Sequence, residues 1–283
     1  MRPRDVSRSI VAFAARTPTL PPATHTNSYA LGSAEVVLVE PATPYDDERR
    51  AWLEWVASLP SQGRTPKAIF VTHHHEDHVG GAAFLAKETG LPLWGHELTA
   101  QKVDAPFSRM LVEGDVIDLA GPIAERWEVL HTPGHAVGHL CLFERTERTV
   151  VVGDMVASVG TILIAPGEGH MATYLAQLER LAALDAAVAL PAHGDPIEDP
   201  TKLFRHYVNH RLGRETKVAA ALDATGPQGA TADELVPIAY ADTPKLMWPF
   251  ATMSLLMHLE KLVEDGRARM DGDRYFGEPH SPS

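Results

Sequence analysis

Residues 72–78 place four side chains of metal-binding type in one short segment. The segment reads Thr-His-His-His-Glu-Asp-His, and its His-x-His-x-Asp-His pattern is far more ordered than a chance pair of histidines. Imidazole nitrogens and carboxylate oxygens are ligands that zinc and similar borderline metals accept. The segment therefore predicts a metal site, and its ligand-type residues are His73, His75, Asp77 and His78.

Three more residues of ligand type follow, each in a short context that contains glycine or proline. They are His135 in Thr-Pro-Gly-His, Asp154 in Val-Val-Gly-Asp and His193 in Pro-Ala-His-Gly-Asp. Each comes after a short β-branched or apolar run, as the 72–78 segment does. The carboxyl ends of strands meet at one rim of an α/β sheet. We therefore expect all seven side chains to converge on two divalent metal ions. The ligand types favour Zn²⁺, and Fe and Mn remain alternatives.

The seven ligand-type residues divide into two sets with a shared member. The predicted sets are His73, His75 and His135 for one metal; Asp77, His78 and His193 for the other; and Asp154 bridging both. Two ions would activate a water held between them and polarise a scissile carbonyl or phosphoryl group, so that no serine or cysteine nucleophile is needed. Asp77 and His78 are also predicted to act in catalysis, with Asp77 orienting or deprotonating the water. His74 and Glu76 are predicted spacers.

Alternating strand and helix patterns predict an α/β layered domain over residues 1–200. The predicted strands are Glu35–Glu40, Ala68–Val71, Glu128–Leu130, Leu140–Phe143, Thr149–Val152 and Val188–Leu190, and the helices are Glu48–Leu59, Gly80–Thr89 and Met171–Leu184. Residues 201–283 follow a different pattern, which predicts a helical linker and a small winged-helix-like domain. Its predicted elements are helices Lys202–Ala221, Thr231–Tyr240 and Phe250–Glu264 and a hairpin that turns at Asp271-Gly272-Asp273.

Composition narrows the class of protein. The 283 residues carry a net charge of −12, to which residues 200–283 contribute only −1, and this acidity argues against a broad nucleic-acid-binding surface. A single cysteine, Cys141, excludes an internal disulfide and indicates a reducing compartment. The apolar run Ile10–Ala15 is too short for a signal peptide, and no segment has the apolar length of a membrane span. We therefore expect a cytoplasmic protein.

The order of these motifs resembles that of the metallo-β-lactamase superfamily over about residues 25–200. The resemblance implies a four-layer αββα sandwich and a dinuclear zinc site with the ligand sets given above. The bridging Asp154 and the retained His78 resemble the glyoxalase II, tRNase Z and beta-lactamase-like protein 2 branches, so a β-lactam substrate is not expected. Residues 169–175, the His206-Tyr207-x-x-His210-Arg211-x-x-Arg214-Glu215 motif and the winged-helix-like end resemble the beta-lactamase-like protein 2 branch.

The chain departs from the pattern of this superfamily at three positions, none of them a ligand. Glu40 stands where the first-strand motif usually ends in Asp, and this affects the support of the metal loop. His170 replaces a usual acidic residue, and Ala192 replaces the usual Gly before His193.

The ligands alone leave the substrate open. We expect an ester or thioester hydrolase, because RNA cleavage would benefit from a positive approach path that this acidic domain lacks. The alternatives are a single-strand endoribonuclease or other phosphodiesterase, a mononuclear iron persulfide dioxygenase, and a non-catalytic nucleic-acid-binding protein with a relic site. The winged-helix module could bind nucleic acid, shape the pocket or form a homodimer contact. The predicted substrate contacts are Tyr29, His170, Tyr174, His210, Arg211 and Arg214.

Overall fold

Fifteen strands and eight α-helices make up the described part of the chain, residues 3–278 of this computed structural model. The strands are β1 Arg4–Asp5, β2 Ile10–Arg16, β3 His25–Leu31, β4 Glu35–Val39, β5 Thr65–Phe70, β6 Leu93–Gly95, β7 Phe107–Met110, β8 Val116–Leu119, β9 Glu125–His131, β10 Leu140–Glu144, β11 Thr149–Gly153, β12 Val188–Pro191, β13 Ala230–Thr231, β14 Ala268–Asp271 and β15 Arg274–Gly277. The helices are α1 Asp46–Ser58, α2 Glu76–Val79, α3 Ala82–Thr89, α4 Glu97–Ala100, α5 Met171–Ala183, α6 Pro200–Asp223, α7 Ala232–Ala239 and α8 Trp248–Glu264.

Two mixed β-sheets form the centre of the first 200 residues. The first sheet has the order β1-β2-β3-β4-β5-β6-β7, in which β4 to β7 run parallel and the strands before them antiparallel. The second has the order β12-β11-β10-β9-β8, with β11 and β12 parallel. Their inner faces share one apolar core, whose members include Val37, Phe70, Trp127, Val129 and Leu142. Each such buried side chain contributes roughly 1.5–3 kcal/mol to folding.

Helices cover the outer face of each sheet. Trp52, Trp55 and Leu85 of α1 and α3 pack on the first sheet. The central strands of this sheet are therefore buried on both faces, which is why their sequences are continuous apolar runs. Met171 and Leu178 of α5, together with the first half of α6, pack on the second sheet. The order of layers is therefore helix, sheet, sheet, helix, and the predicted αββα architecture is confirmed.

The chain beyond residue 200 forms the predicted winged-helix arrangement. Helices α6, α7 and α8 surround a second apolar core, and β14 and β15 form a hairpin whose second strand, β15, also pairs with β13 and so lies in the middle of a three-stranded sheet. The hairpin turns at Asp271-Gly272-Asp273 as predicted, and Gly272 has a φ of 62°. Helix α6 belongs to both cores, since Phe204 packs with the second sheet and Val218 with the winged helix. The division at residues 200 and 201 remains a prediction.

Five strands of the first sheet, β1, β2, β3, β6 and β7, have no counterpart among the predicted strands. Strand β2 is rich in alanine, and β3 is polar in sequence, so neither shows the β-branched pattern on which the other predictions rest. Both are buried and pair with each other along their full length. Within residues 3–278, no helix is both long and apolar enough to cross a bilayer.

Candidate metal centre

The seven predicted ligands lie in segments that directly follow four strands at the same rim of the sandwich, with Asp77 and His78 in the short helix α2. The 72–78 segment follows β5, His135 follows β9, Asp154 follows β11 and His193 follows β12. His75 is the N-cap of the short helix α2, which turns the chain so that the ligands before and after it face the same cleft. The structure thus brings these side chains together at the carboxyl ends of the strands, as predicted.

The first set of ligands is tightly packed. His73 Nε2 lies 3.0 Å from His75 Nδ1 and 3.1 Å from His135 Nε2. Two ring nitrogens can approach so closely only with a proton or a cation between their lone pairs. These three nitrogens can therefore hold one metal ion.

The second set lies beside the first, and Asp154 faces both. His78 Nε2 and His193 Nε2 each lie 3.4 Å from Asp154 Oδ1. The other carboxylate oxygen, Asp154 Oδ2, lies 3.5 Å from His135 Nε2. Asp77 completes the second set, with Oδ2 3.5 Å from His193 Nε2. One oxygen of Asp154 thus points to each set, as a bridging carboxylate requires.

The outward nitrogens of these histidines are held by hydrogen-bond partners. His135 Nδ1 donates to the Leu163 carbonyl at 2.9 Å, and His193 Nδ1 donates to the His25 carbonyl at 3.0 Å. A carbonyl can only accept, so both rings carry the proton on Nδ1 and leave Nε2 free as a ligand. Such partners fix the tautomer and orientation of metal-binding histidines.

Glu40 and Glu168 support the 72–78 segment from opposite sides. Glu40 Oε1 accepts a hydrogen bond from Thr72 and lies 3.1 Å from His78 Nδ1. Glu168 Oε2 lies 2.9 Å from His75 Nε2, which leaves Nδ1 of that ring to bind metal. The longer side chain at position 40 therefore still reaches the metal loop, although the superfamily usually has Asp at this position.

The charged groups of the second set act strongly on one another. Burial opposes ionisation of Asp154, but His193 and His78 hold the pKa of its carboxyl well below the usual range. Burial likewise opposes a charge on His78, but Asp154, Asp77 and Glu40 raise the pKa of its imidazole. Since metal binding needs a neutral imidazole, His78 would have to give up its second proton to hold a cation here.

In the first set of ligands the pKa values of the histidines are lowered instead of raised. Burial lowers the pKa of His73, and the neighbouring His78 and His75 lower it further. Burial also lowers the pKa of His135 to about 4, although Asp154 opposes this. Both rings are therefore neutral near pH 7 and ready to act as ligands.

His139 contacts the backbone of Asp154 and is not one of the seven predicted ligands. Its Nε2 accepts a hydrogen bond from the Asp154 backbone N–H at 3.1 Å, and its Nδ1 lies 2.8 Å from Thr132 Oγ1. Gly153 makes this contact feasible, because a Cβ at that position would lie 2.6 Å from His139 Nε2.

The site suits the predicted metals on two independent grounds. The ligand atoms of each histidine-containing set lie within 4.8 Å of one another. Buried His78 Nε2 and Asp154 Oδ1 also have no hydrogen bond of good geometry among the described residues. Unpartnered buried polar atoms are costly, and a bound cation would satisfy both. The cleft above them has a volume of about 240 Å³.

Two of the predicted substrate contacts lie in the core instead of the cleft. The Tyr29 hydroxyl donates to the Pro191 carbonyl at 2.7 Å, and the Tyr174 hydroxyl donates to the Met155 carbonyl at 2.7 Å. Both rings are fully buried. Each tyrosine therefore supports a ligand loop, the one that carries His193 and the one that follows Asp154, and neither reaches a substrate in the cleft.

The other predicted contacts also lie outside the metal cleft. His170 caps α5 and bonds Glu264 of α8 at 2.9 Å, so it joins the two parts of the chain. His210, Arg211 and Arg214 line a second cavity next to the metal cleft. His74 points to Glu168 and away from the metals, as predicted for a spacer.

Glu168 is the supporting residue that the sequence did not reveal. It lies 93 positions from His75, so only the fold brings the two together. The one local signal is its place between two glycines, Gly167 and Gly169. Burial opposes its charge, but hydrogen bonds from His75 and Lys102 lower the pKa of the Glu168 carboxyl to about 2.

Replacing Glu168 by Ala is expected to weaken metal binding at the first site by about 10- to 100-fold, because His75 loses the acceptor that orients its ring. Metal affinity can be measured by competition with a chromophoric chelator. Lys102→Ala is the matched control, since Lys102 contacts Glu168 at 3.1 Å but not His75. Equal affinities in the two variants would contradict this positioning role.

Two known sequence families match the two parts of the chain. The family model described as "Metallo-beta-lactamase superfamily" matches residues 21–193, and these residues include all seven ligands. The chain belongs to the metallo-β-lactamase superfamily. A second model, "Beta-lactamase associated winged helix domain", matches residues 231–277. Both predicted parts of the chain are thereby recognised, and metal-dependent hydrolase activity is consistent with them.

Curated relatives match over most of the length of the chain. The chain is 27% identical to "Beta-lactamase-like protein 2 homolog" of Drosophila melanogaster, over 90% of this chain and 89% of that protein. It is 28% identical to "Lactamase-like protein adaB" of Aspergillus niger, over 88% of this chain and 78% of that protein. The resemblance to the beta-lactamase-like protein 2 branch is therefore confirmed.

Solved structures agree over nearly the whole chain. A metallo-beta-lactamase family protein from Thermus thermophilus has a TM-score of 0.78 and 26% identity, and the match covers 97% of this chain and 100% of that protein. A beta-lactamase domain protein from Burkholderia ambifaria has a TM-score of 0.81 at 21% identity, covering 98% of this chain and 93% of that chain. At that identity the second match shows the fold alone.

Proposed function

We propose that this member of the metallo-β-lactamase superfamily is a dinuclear metal-dependent hydrolase that acts on ester or thioester substrates. The observation that carries the proposal is the position of Asp154, whose two oxygens face different ligand sets. A single ion would leave one set unused. Two divalent cations at this centre would lower the pKa of water and polarise the bond to be cleaved. The mixed nitrogen and oxygen ligands favour Zn²⁺.

The residues of the chain would divide the remaining work. His73, His75 and His135 would hold one ion, and Asp77, His78 and His193 would hold the other. Asp77 is the less enclosed of the two carboxylates and lines the cleft. It is therefore placed to orient the attacking water and to accept its proton. His78 is fully buried and acts as a ligand fixed by Glu40.

The walls of the cleft support an ester or thioester over a polyanion. Its apolar lining includes Leu20, Val159, Ile162 and Leu163, and no Lys or Arg occurs among the described residues that line it. RNA binding draws most of its affinity from cationic side chains on phosphates. A neutral acyl group would be better accommodated by such walls.

Parallel assays of the zinc-loaded protein would test the proposal. We expect turnover of acyl thioesters and aryl esters, with little or no cleavage of single-stranded RNA or bis-aryl phosphodiesters. Asp77→Ala should abolish that turnover while the circular dichroism spectrum stays unchanged. Asp104→Ala, a change of an aspartate that lies outside the cleft lining, is the matched control. RNA cleavage that depends on Asp77, without ester turnover, would instead establish a phosphodiesterase.

A further inference from the structure

A second cavity of about 350 Å³ lies beside the metal cleft. It is enclosed by α6, by the start of α8 and by residues 160–163. The same four residues also line the metal cleft on their other side. Gly160 and Thr161 are exposed, so a substrate that lies across them can occupy both spaces.

A buried guanidinium forms one wall of this cavity. Arg211 is only 5% exposed, and it donates a hydrogen bond to the Ile162 carbonyl. Its Nε has no partner, and no carboxylate lies within 4 Å of the guanidinium among residues 3–278. A buried cation without a counter-charge is costly. This residue therefore favours an anion as the occupant.

A second arginine and two histidines also line this cavity. Arg214 pairs with Asp242 at 2.8 Å and stacks on Tyr240, with its Cζ atom 4.3 Å from the ring centroid. His206 and His210 present stacked rings with centroids 6.4 Å apart. Burial lowers the pKa of His210, and the adjacent Arg211 and Arg214 lower it further, which is the response of a titratable group to a positive potential.

The remaining lining is apolar and aromatic. It includes Tyr240, Met247, Phe250 and Ala251. Such surfaces bind the carbon skeleton of a ligand, while a few polar groups fix its orientation. A basic, aromatic cavity is also unusual in a chain of net charge −12.

We propose that the second cavity binds the anionic end of the substrate, a carboxylate or phosphate carried on an apolar or aromatic body. The scissile ester or thioester would then lie at the metal centre on the other side of residues 160–163. The binding of such an anion stands on the cavity alone. Only its being part of the substrate rests on the proposed hydrolase function.

Binding of a simple aromatic anion tests the cavity without any turnover. The probe is 2-naphthalenesulfonate, and methyl 2-naphthyl sulfone is its neutral isostere; both are titrated calorimetrically into the zinc-loaded protein. We expect Arg214→Gln to weaken sulfonate binding by about tenfold, the loss of one charge-assisted hydrogen bond. Lys217→Gln is the matched control, because Lys217 also pairs with Asp242 but does not line the cavity.

A second pair of variants tests the proposal even if Arg214→Gln does not fold. His210→Glu adds a negative charge inside the cavity, and Asn209→Glu adds one at the exposed neighbouring position outside it. The first should weaken sulfonate binding by about tenfold or more, and the second should leave it near that of the unaltered protein. Equal binding in all variants, or equal binding of the sulfone, would overturn the proposal.

Turnover then locates the anion within the substrate. Glutaryl and valeryl thioesters of N-acetylcysteamine differ only in an acyl-side carboxylate, and valeryl-coenzyme A adds phosphates on the thiol side. A rise in KM in Arg214→Gln for one charged substrate, with no rise for valeryl-N-acetylcysteamine, supports the proposal and identifies the side. Equal rises in KM for all three substrates would overturn the proposal. It would also be overturned if single-stranded RNA displaced the sulfonate at lower concentrations than either charged thioester does. No turnover of any ester would defeat the proposed function and leave the binding result standing.

Discussion

Asp154→Asn is expected to lower the activity of the zinc-loaded protein by about three orders of magnitude and its metal content from about two ions to one per chain. The carboxylate offers one oxygen to each ligand set, and the amide cannot supply two anionic oxygens. Loss of one ion removes several kcal/mol of transition-state stabilisation, and each 1.36 kcal/mol is a factor of about ten in rate. Metal content is measured by mass spectrometry and activity with the ester that the unaltered protein cleaves.

Asp118→Asn is the matched control for this change. Asp118 lies in β8 of the same sandwich, its side chain is exposed, and it pairs with Arg126. An exposed pair contributes little to stability, so this variant should retain both metals and full activity. If Asp154→Asn also retains two metals and full activity, Asp154 does not bridge and the dinuclear proposal fails.

The ligands could be predicted from sequence because their information is local. Each of the four loops carries its ligand directly after a β-branched or apolar run, as His193 follows Ala189-Leu190. The position at the carboxyl end of a strand is then enough to place it at the common rim. The six longer helices and eight of the fifteen strands of the described residues were likewise predicted from patterns within single segments.

The supports of the ligands could not be predicted, because they depend on pairs distant in sequence. His75 meets Glu168 across 93 positions, and Asn27 holds the His193 loop by donating to the Gly194 carbonyl across 167. Tyr29 and Tyr174 show the same limit in another form. Their placement near the ligands was right, but sequence could not tell a hydroxyl in the cleft from one that bonds a carbonyl in the core.

The join between the two parts of the chain also emerges only in the structure. Tyr207 of α6 exchanges hydrogen bonds with the Ala157 backbone, and Arg211 reaches the Ile162 carbonyl. Both backbone positions lie in the loop that begins at the bridging Asp154. The helix that leads into the winged helix therefore holds one wall of the metal cleft.

Gly134→Ala is expected to lower the free energy of unfolding by about 4 kcal/mol and to impair metal binding by the adjacent His135. Gly134 has a φ of 132°, a conformation that residues with a Cβ rarely adopt. A Cβ there would lie 2.4 Å from Tyr174 Cα and 2.5 Å from Tyr174 N. These are backbone atoms of α5, so no side-chain rotation can relieve the clash, and strain adds to overpacking.

Gly213→Ala makes the same substitution where neither cost applies. Gly213 lies inside α6, has no positive φ, and a Cβ there meets no atom of the described residues within 4 Å. Because Ala favours a helix interior over Gly, this variant should be more stable by about 0.5–1 kcal/mol. Urea unfolding of both proteins, with and without zinc, measures the difference. A Gly134→Ala protein as stable as Gly213→Ala would mean that the loop carrying His135 can move away from α5, and that this glycine does not fix the ligand.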